Sequence, residues 1–116
     1  MIPRILVVDD EVLIAMEIAD NLEAHGFEVV GPCQSVAQAL NLLAEPDCCD
    51  AAVLDASLRN ESSQPVAQKL NALKLPFVVV SGYSAHQLPD ALAAAPLLNK
   101  PVRTDDLIDK LRLMLA

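Results

Sequence analysis

No apolar run in the sequence is long enough to cross a membrane. The longest, such as Ile5-Leu6-Val7-Val8, are a handful of residues, against the roughly 18 that a span requires. Nor does a signal peptide open the chain: Met-Ile-Pro-Arg leads through a short apolar stretch straight into Asp9, Asp10 and Glu11. The expected compartment is therefore the cytoplasm. Basic residues are scarce, 8 against 16 acidic, for a net charge of −8. Nucleic-acid binding is driven by Lys and Arg on phosphates, so direct binding is not expected. The 3 cysteines, Cys33, Cys48 and Cys49, are odd in number and lack C-x-x-C spacing. They read as small apolar residues, without a zinc or redox role. Linkers, low-complexity stretches and sequence repeats are also missing. Disorder is excluded by the 53% hydrophobic content. At 116 residues the chain has room for one core, and a single domain over 1–116 is expected.

Five short apolar runs recur: Ile5–Val8, Phe27–Val30, Ala51–Leu54, Phe77–Val80 and Leu97–Leu98. They are nearly continuous, as in parallel strands covered on both faces. Between them lie helical segments. Val12, Ala15, Met16, Ala19 and Leu22 form the apolar stripe of the first, and Gly26 is its stop. Ser35 and Gln38 form a capping box before the second. Pro65 suits the first turn of a third carrying Val66, Leu70 and Leu73. Pro89 starts a short or mobile fourth, between Ser84 and Ala95. Thr104 caps a last helix with Leu107, Ile108, Leu111, Met114 and Leu115 on its stripe. The alternation predicts an α/β fold, a parallel sheet between two helical layers with right-handed crossovers. Ligands of such sheets bind outside the carboxyl ends of the strands.

Those ends carry the polar residues. Asp9-Asp10-Glu11 follows the first run, Asp55 the third, Ser81-Gly82-Tyr83 the fourth and Asn99-Lys100-Pro101 the fifth. Carboxylates brought close together need a proton, a cation or a basic side chain. Oxygen ligands without thiols suit Mg²⁺, and a lysine is a point charge for phosphate. Together with a serine hydroxyl they make a site for moving a phosphoryl group onto a carboxylate.

Asp9-Asp10, Asp55, Ser81-Gly82 and Lys100-Pro101, in this order and at these separations, resemble the receiver domain of bacterial response regulators in two-component systems. The resemblance spans essentially the whole chain. It implies a flavodoxin-like (βα)5 fold with strand order 2-1-3-4-5. It further implies Asp55 as phosphoacceptor, with Lys100 and Ser81 contacting the phosphoryl group. Mg²⁺ would be held by Asp10, Asp55 and the Ser57 carbonyl, and by Asp9 through water. Lys100-Pro101 is typically cis in this family. The expected partners are a histidine kinase or histidine phosphotransfer protein and an unknown output protein, with a homodimer left open. Beyond self-phosphorylation and autodephosphorylation no enzymatic turnover is expected.

Two departures from the family pattern stand out. Leu97, Leu98 and Asn99 occupy the region where an aromatic switch residue is common, and Tyr83 lies two residues after Ser81. Pro76–Tyr83 is similar to a subgroup of single-domain receivers with a Phe-x-x-x-Thr-Gly-Tyr/Gly signature, which makes Ser81 and Tyr83 the candidate switch pair. Asp55-Ala56-Ser57-Leu58-Arg59-Asn60 also lacks the proline and glycine that usually follow the acceptor. With the chain ending in the last helix at Ala116, the expectation is a stand-alone regulator. Its alternatives are a receiver cut from a larger regulator or hybrid kinase, a phosphorylation-independent binding module, and a small Mg²⁺-dependent phosphatase. The phosphatase reading lacks the Asp-x-Asp pair of the haloacid-dehalogenase class.

Overall fold

The computed structural model describes residues 2–58, 61–82 and 87–116. In chain order its elements are β1 (Arg4–Val8), α1 (Val12–Ala24), β2 (Glu28–Cys33), α2 (Val36–Leu43), β3 (Ala51–Asp55), β4 (Ser57–Leu58), β5 (Glu61–Ser62), α3 (Gln64–Ala72), β6 (Phe77–Ser81), α4 (Asp90–Ala93), β7 (Leu97–Asn99) and α5 (Thr104–Leu115). Five strands form one parallel sheet in the order β2-β1-β3-β6-β7. Counting only these strands, that is the expected order 2-1-3-4-5.

The continuous apolar runs are explained by the two layers. Leu6, Val8, Ala52, Leu54, Phe77 and Val79 point to one face, where α2, α3 and α4 add Ala39, Leu43, Val66, Leu70 and Leu92. The alternate residues Ile5, Val7, Val53, Val78 and Val80 point to the other, where α1 and α5 add Ile18, Leu22, Leu107, Ile108 and Leu111. Successive side chains of a strand face opposite sides, so a central strand is apolar on both faces through its interior, and polar residues enter only at its ends, as Asp55 does in β3 and Ser81 in β6. Cys33, Cys48 and Cys49 are free and buried.

Local signals explain most helix ends. Gly26 leaves α1 at φ +89°, where glycine carries no steric cost. Ser35 Oγ accepts from the Gln38 backbone N–H at 3.2 Å, and Gln38 Oε1 accepts from the Gln34 N–H at 2.8 Å. Pro65 sits in the first turn of α3 and Pro89 immediately precedes the four-residue α4.

Three local expectations are corrected. The buried face of α1 is Ala15, Ile18, Ala19 and Leu22, while Val12 and Met16 are about half exposed. Val12 to Met16 is apolar all round, so periodicity fits more than one rotation, and the small Ala15 and Ala19 pack on the sheet. Leu73 ends α3 and is also partly exposed. Thr104 does not cap α5; Arg103 holds that position. The Thr104 hydroxyl accepts a 2.9 Å hydrogen bond from Asn21 Nδ2 and so ties α5 to α1.

One feature of β2 shapes the functional edge. Leu6 pairs with Val30 but Val8 pairs with Cys33, so β2 carries one extra residue there. Gly31 sits in this bulge at φ +91°, and a Cβ on it would lie 2.7 Å from the Cys33 backbone nitrogen. The bulge brings the Cys33 carbonyl to the Asp9 N–H at 2.9 Å. β4 and β5 form a small antiparallel pair just after Asp55. Strands of two residues leave no periodic trace in sequence.

Candidate functional site

Strand register gathers the polar residues. Val8 pairs with Leu54, Asp55 with Val80, and Ser81 with Asn99. Asp9, Asp55, Ser81 and Lys100 therefore emerge at one level of the carboxyl edge. Asp55, Ser81 and Lys100 line a cleft of about 240 Å³ together with Asp10, Glu11, Ser57 and Gly82, and Asp9 is buried next to Asp10 and Asp55. Three of these polar residues are almost fully enclosed: Asp9 is 1% exposed, Ser81 2% and Asp55 6%.

Each side chain has an identifiable hold. The backbone of Lys100 is tied by its N–H to the Ser81 carbonyl at 2.9 Å, and the Lys100-Pro101 bond is cis. Lys100 Nζ donates to Asp55 Oδ2 at 3.1 Å. The same ammonium lies 3.8 Å from Asp9 Oδ2 and 3.6 Å from Glu11 Oε1. The other Asp55 oxygen accepts from the Ser57 N–H at 3.2 Å. Asp9 Oδ1 accepts from the Glu11 N–H at 2.9 Å, but the buried Asp9 Oδ2 has no hydrogen-bond partner.

This crowding perturbs proton affinity. Burial pushes the Asp9 carboxyl up to about 6, and the nearby Asp55 charge adds to the rise against the Glu11 N–H and Lys100. Desolvation pulls the Lys100 ammonium down, but the hydrogen bond and charge of Asp55, with Asp9 and Glu11, outweigh it and the net shift is upward. One cation thus serves several carboxylates.

The cluster fits a hard cation. Asp9, Asp10 and Asp55 each offer an oxygen, and these lie within 4.8 Å of one another. The unsatisfied buried oxygen of Asp9 is the kind of group a divalent ion and its water shell would satisfy. All donors are oxygen, which suits Mg²⁺ over softer metals.

The structure thus brings Asp10, Asp55, Ser57, Ser81 and Lys100 around one cleft, with the buried Asp9 in the same carboxylate cluster. Tyr83 lies outside the described residues, as do Arg59, Asn60 and His86. Glu11 was not foreseen as a member. Its only signal was its place in Asp9-Asp10-Glu11, which the start of a helix explains equally well.

Residues 5–112 match the response regulator receiver domain family. The chain belongs to this family. It is 30% identical over 118 aligned positions to the transcriptional regulatory protein PdtaR of Mycobacterium tuberculosis, covering 97% of this chain and 57% of that protein. The chain thus spans a little over half the length of that relative. Among solved structures, a CheY-like receiver from Methanospirillum hungatei superposes with a TM-score of 0.87 at 26% identity, over 99% of this chain and 94% of that one. SdrG from Sphingomonas melonis is 38% identical with a TM-score of 0.83, over 99% and 98%. Receiver domains generally bind a metal at their acidic pocket, and the family implies a phosphodonor kinase as the kind of partner. Among the described residues no helix is long and apolar enough to cross a membrane.

Proposed function

We propose that the chain accepts a phosphoryl group on Asp55 from a histidine kinase or phosphotransfer protein and responds by changing the proteins it binds. The observation that carries this reading is the 3.1 Å contact of Lys100 with Asp55 beside the acidic triad. A solution structure of SdrG in a BeF3-activated conformation, 36% identical to this chain, supports it.

An Asp55 carboxylate oxygen attacks phosphorus in line. The new O–P bond forms as the donor's P–N bond breaks, and the electron pair leaves on nitrogen, which takes a proton from water. Lys100 and the Ser81 hydroxyl face the charge on the equatorial oxygens, so the protein's work is mainly electrostatic positioning. Mg²⁺ held by Asp10 and Asp55, with the Ser57 carbonyl and with Asp9 through water, would supply further positive charge there. Hydrolysis of the acyl phosphate resets the protein, and no other substrate is turned over.

The added charge of roughly −1.5 to −2 biases a two-state element. Ser81 moves toward the phosphoryl group, with Tyr83 as its partner in the switch, and the α4–β7–α5 surface changes. Output is protein binding, by this chain alone or as part of a longer regulator, and DNA is not touched directly.

Intact-mass spectrometry after incubation with phosphoramidate and Mg²⁺ tests the reading. The expected result is a Mg²⁺-dependent gain of one phosphoryl group in the wild type and none in Asp55→Asn. A folded wild type that gains nothing would point to a phosphorylation-independent binding module.

A further inference from the structure

Glu11 is placed unlike the other carboxylates of the cleft. Its side chain is 60% exposed, against 2% for Asp9 and 7% for Asp55. It occupies the position before α1, yet its carboxylate does not cap the helix. It approaches the Lys100 ammonium to 3.6 Å, from the rim of the cleft. Lys100 is thus suspended between two inner carboxylates, Asp55 at 3.1 Å and Asp9 at 3.8 Å, and an outer one, Glu11.

This arrangement bears on the transfer step. Before reaction the Asp55 charge holds the ammonium at the inner end. As the O–P bond forms and the P–N bond breaks, Asp55 becomes a neutral acyl group and the negative charge lies on phosphoryl oxygens farther out. The ammonium has to follow that charge outward. A carboxylate at the rim favours the outward position before the phosphoryl group arrives, and reorganisation avoided in advance lowers the barrier.

Resting on the phosphoacceptor reading above, we propose that Glu11 is a positioning residue, which holds Lys100 at the mouth of the cleft so that its ammonium meets the incoming phosphoryl oxygens. Bulk charge would act in the opposite sense. A carboxylate at the rim repels an anionic donor, so if charge alone mattered its removal would speed the reaction.

Two variants and two readouts decide. Glu11→Gln keeps the length and removes the charge; Glu11→Asp keeps the charge and shortens the arm. At saturating Mg²⁺, the maximal phosphorylation rate with phosphoramidate should fall roughly three- to tenfold in both, with little change in half-saturating donor concentration. A rate in Glu11→Gln that is unchanged or higher, or a Glu11→Asp protein that matches wild type, would overturn the proposal. The second readout needs no phosphorylation. Lysine-ammonium NMR of the folded, Mg²⁺-free protein should show a Lys100 signal, identified by its absence in Lys100→Ala, that shifts or broadens in Glu11→Gln. A signal indifferent to Glu11, or missing from the wild type, would also overturn the proposal. Should the wild type accept no phosphoryl group, the function is refuted separately and the NMR result still decides whether Glu11 holds Lys100.

Discussion

The two ends of the sheet handle charge in opposite ways. At the amino end Arg4 is locally balanced. Its N–H donates to Asp50 Oδ2 at 2.8 Å, its Nη1 donates to the Asp47 carbonyl at 2.7 Å, and its Nε lies 3.6 Å from Glu28. These groups are largely exposed, and water can replace any of them at small cost. At the carboxyl end Asp9 and Asp55 are buried, Lys100 is shared, and Asp9 Oδ2 is left without a hydrogen bond. The first arrangement joins pieces of chain. The second retains an electrostatic deficit that a cation and a phosphoryl group can relieve, which is how strain at a functional site is distinguished from an ordinary ion pair.

Substitutions at the two ends should differ accordingly. The largest effect is expected from Lys100→Ala, which removes the shared cation. Phosphorylation by phosphoramidate should slow about 100-fold or more, read by intact mass over time. A change of less than threefold would place the charge stabilisation elsewhere.

Asp9 gives the next effect. A carboxyl whose proton affinity rises on folding binds its proton more tightly folded than unfolded. Stability therefore falls as pH rises from the ordinary 3.8 to about 6, and the full cost applies above that window. Asp9→Asn should thus gain about 3 kcal/mol at pH 7 and little at pH 4, by urea unfolding. Asp50→Asn at the other end should lose about 1 kcal/mol or less at pH 7.

Mg²⁺ should act on the same deficit. At about ten times its dissociation constant it should raise Tm by roughly 5 °C at pH 7. The rise should shrink below pH 6, where Asp9 holds its proton, and vanish in Asp10→Asn. The smallest effect belongs to Arg4→Ala: about 0.5–1 kcal/mol, reduced by salt, with no change in phosphorylation.

The sequence made the sheet legible because the interior of each buried strand had to be apolar on both faces. It also made legible which residues reach the carboxyl edge, since Asp9, Asp55, Ser81 and Lys100 each lie at or just beyond a strand's end. What it concealed depends on the third dimension. Val12 to Met16 allowed more than one rotation of α1, and packing chose the one that buries Ile18. Thr104 carried the chemistry of a helix cap but meets Asn21, 83 positions away. The high proton affinity of Asp9 comes from burial and from Asp55 on a neighbouring strand. Glu11 was only the acid next to Asp9 and Asp10 at the start of a helix until Lys100 was placed beside it.

The phosphoryl group itself can be located on the chain. Borohydride reduces an aspartyl phosphate to homoserine, so peptide mass spectrometry of the phosphorylated and reduced protein identifies the acceptor. Homoserine is expected at position 55 and nowhere else. Conversion at position 9 or 10, or a borohydride-resistant phosphate on Ser57 or Ser81, would contradict it.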